Sequence, residues 1–216
     1  MKKKILILTA GFGEGHNSAA RGVRDGLARV ASDQTEVELR DLFAEAYGRV
    51  NDLVRRSYLA LVNSAPHAWG LVYRWLDRKT DYDAEFRRLT RLKVQFGPVL
   101  DDFQPDIVVS SFPAYANVLQ EVLGAERACK CVVVVTDSIT INASWYRSPA
   151  DYFIVANEQS ANVLRSNGVA PEKIRIFGFP VSPMFADFAE DRPLPSGNSS
   201  RRVLYMINAA KRGAPE

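Results

Sequence analysis

Two side chains in this sequence are placed to move a proton. His16 closes the run Gly11-Phe12-Gly13-Glu14-Gly15-His16-Asn17, and Asp137 directly follows Val132-Val133-Val134-Val135-Thr136. Imidazole titrates near neutral pH, so His16 suits a general base. A histidine at the tip of a helix also fits plain capping or packing. Asp137 offers a carboxylate at the end of an apolar run, where a turn or helix-capping aspartate would also sit. The glycines Gly13 and Gly15 let a ligand approach the backbone, and a helix starting near Asn17 would offer free N–H groups. The loop is not a dinucleotide fingerprint, because the third glycine would fall at His16. It is not a P-loop, because no Gly-Lys-Ser/Thr follows. Glu14 would also repel a phosphate.

Two further stretches accompany these residues. Ser110-Ser111-Phe112-Pro113 follows another apolar run and reads either as a ligand edge or as a simple strand-to-helix turn. The segment from Ser138 to Tyr146 has neither helical nor strand period, which suits a site loop. In it Trp145 is either a wall for a ligand or a loop anchor.

The elements that must position these groups alternate. Lys4–Ala10 is a continuous apolar run, the mark of a strand buried on both faces. A helix is expected from about Asn17 to Ala31, then a strand over Thr35–Arg40. Further strands are expected over Asp106–Ser110, Lys130–Thr136, Tyr152–Ala156 and Lys173–Phe177, with a helix from about Glu158 to Ser166. That alternation predicts an α/β fold, a Rossmann-like parallel sheet with helices on both faces. In such a sheet ligands sit beyond the carboxyl ends of the strands, where both the His16 loop and Asp137 lie.

Domain organisation follows from two breaks in the rhythm. A long helical insertion is expected from about 41 to 103, and a linker over 186–201, rich in Asp, Pro, Ser, Gly and Asn. The sequence after it, 202–216, reads as the start of a second domain that is cut short. The expectation is one domain over 1–185 plus a stump.

Composition limits the function classes. The apolar fraction of 47% and charged fraction of 25% exclude disordered and fibrous chains. A net charge of +3 is too mild to argue for nucleic acid. Cys129 and Cys131, one residue apart, form neither a disulfide framework nor, with only His16 and His67 elsewhere, a zinc site. Two reduced, buried cysteines fit a cytosolic protein. No apolar run approaches the roughly 20 residues of a membrane span. From Arg49 to Lys93, ten cationic side chains stand against five acidic ones, interleaved with Trp69, Tyr73 and Trp75. Such a segment fits anionic lipid headgroups, or a solvated helical face over core aromatics.

The run Ile5-Leu-Ile-Leu-Thr-Ala-Gly-Phe-Gly-Glu-Gly-His16-Asn-Ser-Ala-Ala20 resembles the opening of the monogalactosyldiacylglycerol synthase and processive diacylglycerol glucosyltransferase family. These are GT-B glycosyltransferases of family 28. The resemblance continues at Val133-Val-Val-Thr-Asp137, Asn142-Ala-Ser-Trp145 and Gly178-Phe-Pro-Val-Ser-Pro183, and covers residues 4 to 185. It implies two Rossmann-like domains facing a cleft, this chain being the N-terminal, acceptor-binding half. It implies inverting transfer of a hexose from a UDP-sugar to a diacylglycerol-type lipid, with no cofactor and no obligate metal. His16 would be the acceptor-side base, with Asp137 orienting the imidazole or the acceptor. The acceptor is expected against Gly13, Gly15, Asn17, Phe112, Pro113, Asn142 and Trp145. Contact with an anionic membrane surface is expected through Arg55, Arg56, Trp69, Trp75, Arg87 and Arg88, on the cytoplasmic membrane as a peripheral protein.

Two positions depart from the family pattern. Asn142 stands where a histidine is common, and a neutral amide cannot take a proton. The run after Val203 lacks the usual glycines. The chain alone is expected to be inactive, because the donor half of the cleft lies outside it. The rival readings are N-acetylglucosaminyl transfer to a polyprenyl-linked acceptor, and a non-catalytic Rossmann-like module whose loop holds an anion.

Overall fold

The computed structural model describes residues 1–65, 89–125, 127–137 and 141–189. Six strands form one sheet in the order β2-β1-β3-β4-β5-β6, and every pairing is parallel. They are β1 (Lys3–Leu8), β2 (Thr35–Arg40), β3 (Ile107–Ser110), β4 (Lys130–Val134), β5 (Tyr152–Val155) and β6 (Ile174–Ile176). The helices are α1 (Glu14–Ala31), α2 (Leu42–Tyr47), α3 (Arg49–Ser64), α4 (Thr90–Phe103), α5 (Ala114–Leu123), α6 (Ala143–Tyr146), α7 (Glu158–Ser166) and α8 (Met184–Ala189). This is the Rossmann-like α/β class expected from the alternating pattern.

Successive side chains of a strand point to opposite faces, so a strand buried on both sides must be apolar throughout. In β1, Leu6 and Leu8 pack with Leu42, Phe96, Tyr115 and Leu164 on one face. Ile5 and Ile7 pack with Ala19 and Ala20 of α1 on the other. The first face carries the larger core, drawn from α2, α4, α5 and α7. At the amino edge of the sheet two aspartates pin neighbouring strands. Asp106 accepts from the Lys4 N–H at 2.9 Å and from Lys3 Nζ at 2.8 Å. Asp151 does the same for the Cys131 N–H, at 2.8 Å. Cys129 and Cys131 are free and buried, and burial pushes the Cys131 thiol up to about 12.

Three departures from the expected elements matter most. Helix α1 begins at Glu14, three residues earlier than the sequence suggested, so His16 lies within its first turn. Asn17 is a preferred helix-capping type, but its Oδ1 accepts a hydrogen bond from the Thr9 hydroxyl at 2.9 Å. The cap position passes to Gly13, extended at φ −173°, with no side-chain capping bond. The stretch after Asp137 contains the short helix α6, capped by Asn142. The chain also runs as helix α8 through Ala189, into the stretch read as linker. Of the 41–103 insertion, α2, α3 and α4 are described, whereas the second short helix around Trp69–Trp75, most of the linker and the 202–216 stump lie outside the described residues.

The segment after β6 crosses α1 so closely that Gly22 has no room for a side chain. An added Cβ would lie 2.8 Å from the Pro180 backbone carbonyl. On the same helix, a Cβ on Gly26 would meet nothing within 4 Å. Gly22→Ala is therefore expected to destabilise the fold by about 1–3 kcal/mol. Gly26→Ala should stabilise it by roughly 0.5–1 kcal/mol through helix propensity. Urea melts of the two variants check the contrast.

Candidate active site

The strand order reverses between β1 and β3, so the connections leaving these strands diverge and open a crevice at their carboxyl ends. The loop after β1 is held on three sides. The Thr9 carbonyl accepts from the buried Tyr115 hydroxyl at 2.7 Å. Thr9 Oγ1 donates to Asn17, and the Gly11 N–H donates to Asp41 Oδ2 at 2.9 Å. Asp41 Oδ1 in turn caps α2 by accepting from the Ala44 N–H. Ser111, just after β3, is buried, and its N–H and hydroxyl both donate to the Leu8 carbonyl. These bonds fix the Ser111 carbonyl toward α1.

His16 meets that carbonyl. Its Nδ1 is 2.8 Å from the Ser111 oxygen and 3.0 Å from Thr136 Oγ1. A carbonyl only accepts, so Nδ1 carries the proton and the lone pair of the neutral ring is on Nε2. Phe112 meets the imidazole edge-on at 5.2 Å, and the buried Trp145 lies 6.0 Å away, tilted. Phe112 is itself braced by Phe12, Phe43 and Tyr115. The imidazole thus sits in an aromatic cleft, and burial holds its pKa below the ordinary value, opposed by the Ser111 carbonyl and the Asp137 charge.

Asp137 acts on His16 through charge. Its Oδ2 accepts from Trp145 Nε1 at 2.9 Å, and the Asn142 N–H also bonds the carboxylate. Burial raises its pKa, against those bonds and the His16 charge. The carboxylate therefore anchors Trp145, and the hydrogen-bond partners that orient Nδ1 are Ser111 and Thr136.

The structure brings His16, Asp137, Phe112 and Trp145 together. The other expected residues have roles in the frame. Asn142 Oδ1 accepts from the Ser144 N–H and caps α6. Pro113 is buried at the start of α5, and its carbonyl accepts from the Ser148 hydroxyl. Gly13 and Gly15 are not forced by packing, since a Cβ on either meets nothing within 4 Å. Arg55 is half-buried, its Cδ 3.6 Å from where a Gly11 Cβ would stand, whereas Arg56 is exposed. Trp69, Trp75, Arg87 and Arg88 lie outside the described residues.

Sequence reasoning missed the Ser111 carbonyl as the acceptor that orients the ring, and Thr136, Asp41, Phe12 and Phe43. Thr136 and Ser111 were within reach of the strand-end rule, each lying at or next to a carboxyl end. It also missed Tyr58 of α3. Burial raises the Tyr58 pKa and the Asp137 charge adds to the shift, which puts the phenol near the carboxylate. Asn51, Arg55 and Tyr58 recur at i, i+4 and i+7, the spacing of one helix face.

A groove of about 430 Å³ opens at the opposite, amino edge, between Arg127, Tyr146, Asp151 and Lys173. Several of its polar groups are engaged in the fold, although Arg127 Nε is buried without a hydrogen-bond partner among the described residues. Arg127 donates to Asp151 and to the Pro149 carbonyl, and Lys173 to the Ala150 carbonyl. The His16 cluster lies at the other, carboxyl edge of the sheet.

Residues 16–181 match the family model for monogalactosyldiacylglycerol (MGDG) synthase. A probable chloroplastic monogalactosyldiacylglycerol synthase of Nicotiana tabacum is 26% identical over 208 residues, covering 94% of this chain and 38% of its own length. Monogalactosyldiacylglycerol synthase 1 of Arabidopsis thaliana is similar to the same extent. The processive diacylglycerol beta-glucosyltransferase of Bacillus subtilis is 25% identical, covering 96% of this chain and 54% of its own length. The chain thus spans about half, or less, of the length of these relatives.

The depressed histidine pKa has a stability consequence. The folded chain protonates His16 at lower pH than the unfolded chain, whose value is near 6.5. The associated stability is complete above that value and is lost as pH falls toward the folded one. Melting temperature should therefore drop more steeply between about pH 7 and 5 in the wild type than in His16→Gln. Parallel pH profiles for the two proteins would contradict the buried, neutral ring.

Proposed function

Since the chain belongs to the monogalactosyldiacylglycerol synthase family, we propose that it forms the acceptor side of an inverting lipid glycosyltransferase. The transferred group is a hexose, the donor a UDP-sugar, and the acceptor a diacylglycerol-type lipid. The observation that carries this reading is the His16 ring. Its proton is directed to a backbone carbonyl, and its lone pair is on Nε2, inside an aromatic cleft at the crevice of the sheet.

In the proposed step Nε2 takes the proton of the acceptor hydroxyl. The hydroxyl oxygen attacks the anomeric carbon, the new C–O bond forms as the bond to UDP breaks, and the configuration inverts. Phe112 and Trp145 give the apolar neighbour of the hydroxyl a dry surface. Asp137 favours the imidazolium that forms, by charge. A base so placed contributes about 10²–10⁴ in rate.

The acceptor resides in a bilayer, so the domain must reach one. Helix α3 has the surface for this. Its inner face carries Asn51, Arg55 and Tyr58, whereas Val50, Leu53 and Val54 stand 56%, 66% and 49% exposed on the other. Arg49 and Arg56 flank that stripe and are exposed. No helix among the described residues is long and apolar enough to cross a membrane. The stripe and its cations support peripheral contact with an anionic surface, on the cytoplasmic side, worth about 1 kcal/mol per cation.

In a protein of its relatives' full length, His16→Ala should lower kcat for transfer from UDP-glucose or UDP-galactose to diacylglycerol by about 10²–10⁴. Donor KM should hardly move. A loss below about tenfold would exclude His16 as the base.

Vesicle co-sedimentation checks the membrane face. The chain should bind phosphatidylglycerol vesicles more than phosphatidylcholine ones, and less at high salt. Arg49→Glu with Arg56→Glu should remove the preference, and Leu53→Asp should weaken binding to both. Binding that ignores headgroup charge would contradict the assignment.

A further inference from the structure

We propose that Thr136 is a positioning residue for His16, its Oγ1 sharing the Nδ1 proton with the Ser111 carbonyl so that Nε2 stays the basic atom. Two oxygens lie within hydrogen-bond distance of Nδ1, at 2.8 Å and 3.0 Å. The Ser111 oxygen cannot donate, so the hydrogen is on Nδ1 and Thr136 Oγ1 meets an N–H. The hydroxyl therefore accepts, and its own proton turns away from the ring.

The chain holds Thr136 for this task. The Val135 N–H, immediately before it, donates to the Ile154 carbonyl at 2.9 Å and fixes the backbone to β5. Asp137, immediately after it, is tied to the Trp145 indole. A β-branched side chain between two fixed points has little χ1 freedom, so its oxygen is pre-placed. A bond accepted from Nδ1–H strengthens when the ring becomes a cation. Thr136 thus supports the imidazolium that forms when Nε2 takes a proton, against the cost of burial.

Among the described residues, the charges around the ring are few. Asp137 acts on it directly, and Tyr58 of α3 senses Asp137. On the ring's own helix, Glu14 is paired with Arg21 at 3.1 Å, and Arg55 of α3 acts on Glu14. The β3–α5 loop brings the Ser111 carbonyl and Phe112 against the ring, and neither titrates.

The proposal rests on His16 being the base of the proposed transfer, but its test reads the ring itself and needs no turnover. Ring-nitrogen NMR of ¹⁵N-histidine chain gives the tautomer and the pKa of His16. His16→Gln assigns the signal against His67. The neutral wild-type ring should carry its proton on Nδ1. Thr136→Val should lower the His16 pKa by roughly half a unit to one unit, and Thr136→Ser should restore most of it. Thr136→Ala serves where the valine variant fails to fold, as judged by amide dispersion. A pKa that is unchanged or raised in Thr136→Val would overturn the proposal, since a hydroxyl that donates to Nδ1 stabilises the neutral ring. An Nε2–H tautomer in the wild type would overturn it too. Full transfer activity in His16→Ala would instead remove the base assignment and leave the NMR result standing.

Discussion

The Ser111 carbonyl lies 2.8 Å from Nδ1 of His16, and because a carbonyl can only accept, it determines which nitrogen of the ring is basic. The rest of the site depends on holding that oxygen still. Ser111 is fastened to the Leu8 carbonyl by both its N–H and its hydroxyl. The pairing of β1 with β3 sets Leu8 opposite Ser110. A slip in this register would carry the carbonyl away from α1 and release the ring. The orientation of the His16 ring is thus a property of two adjacent parallel strands, and the apolar side chains of β1 and β3 serve it by fixing their pairing.

The chain pays for this placement in local stability. His16 lies in the first turn of α1, where the helix dipole disfavours a cation, and burial acts in the same direction. Asp137 is raised by burial beside it. Burial thus disfavours the charged form of both groups, while the Ser111 carbonyl and the Asp137 charge oppose that shift at the ring. Aromatic contacts among Phe12, Phe43, Phe112 and Tyr115 supply the compensating packing.

Much of the fold was legible because doubly buried strands must be apolar throughout. β2 and α7 have the bounds the sequence suggested, β3, β4, β5 and β6 are each trimmed by one to two residues at one or both ends, and β1 begins one residue earlier and ends two residues earlier than expected. His16 and Asp137 were legible as residue types at strand ends. The start of α1 was not, because Asn17 has the composition of a cap while its oxygen is bonded to Thr9, a tertiary contact no local pattern reveals. The Ser111 carbonyl was hidden for another reason: backbone atoms carry no sequence signature. Helix α3 shows a third limit. The charge count from Arg49 to Lys93 suggested a cationic face, yet in α3 Arg55 lies half-buried against the glycine-rich loop, and Val50, Leu53 and Val54 form an exposed stripe. Net charge counts residues and does not say which way they face.

The central claim is that Nε2 of His16 receives the proton of a lipid hydroxyl in this cleft. The most direct measurement is a crystal structure of the chain with a short-chain diacylglycerol bound. The account predicts the free hydroxyl oxygen about 2.6–3.2 Å from Nε2, with the glyceryl carbons against Phe112 and Trp145. A lipid seated elsewhere, or one whose hydroxyl meets Nδ1 or Asp137 while Nε2 faces protein, would contradict it.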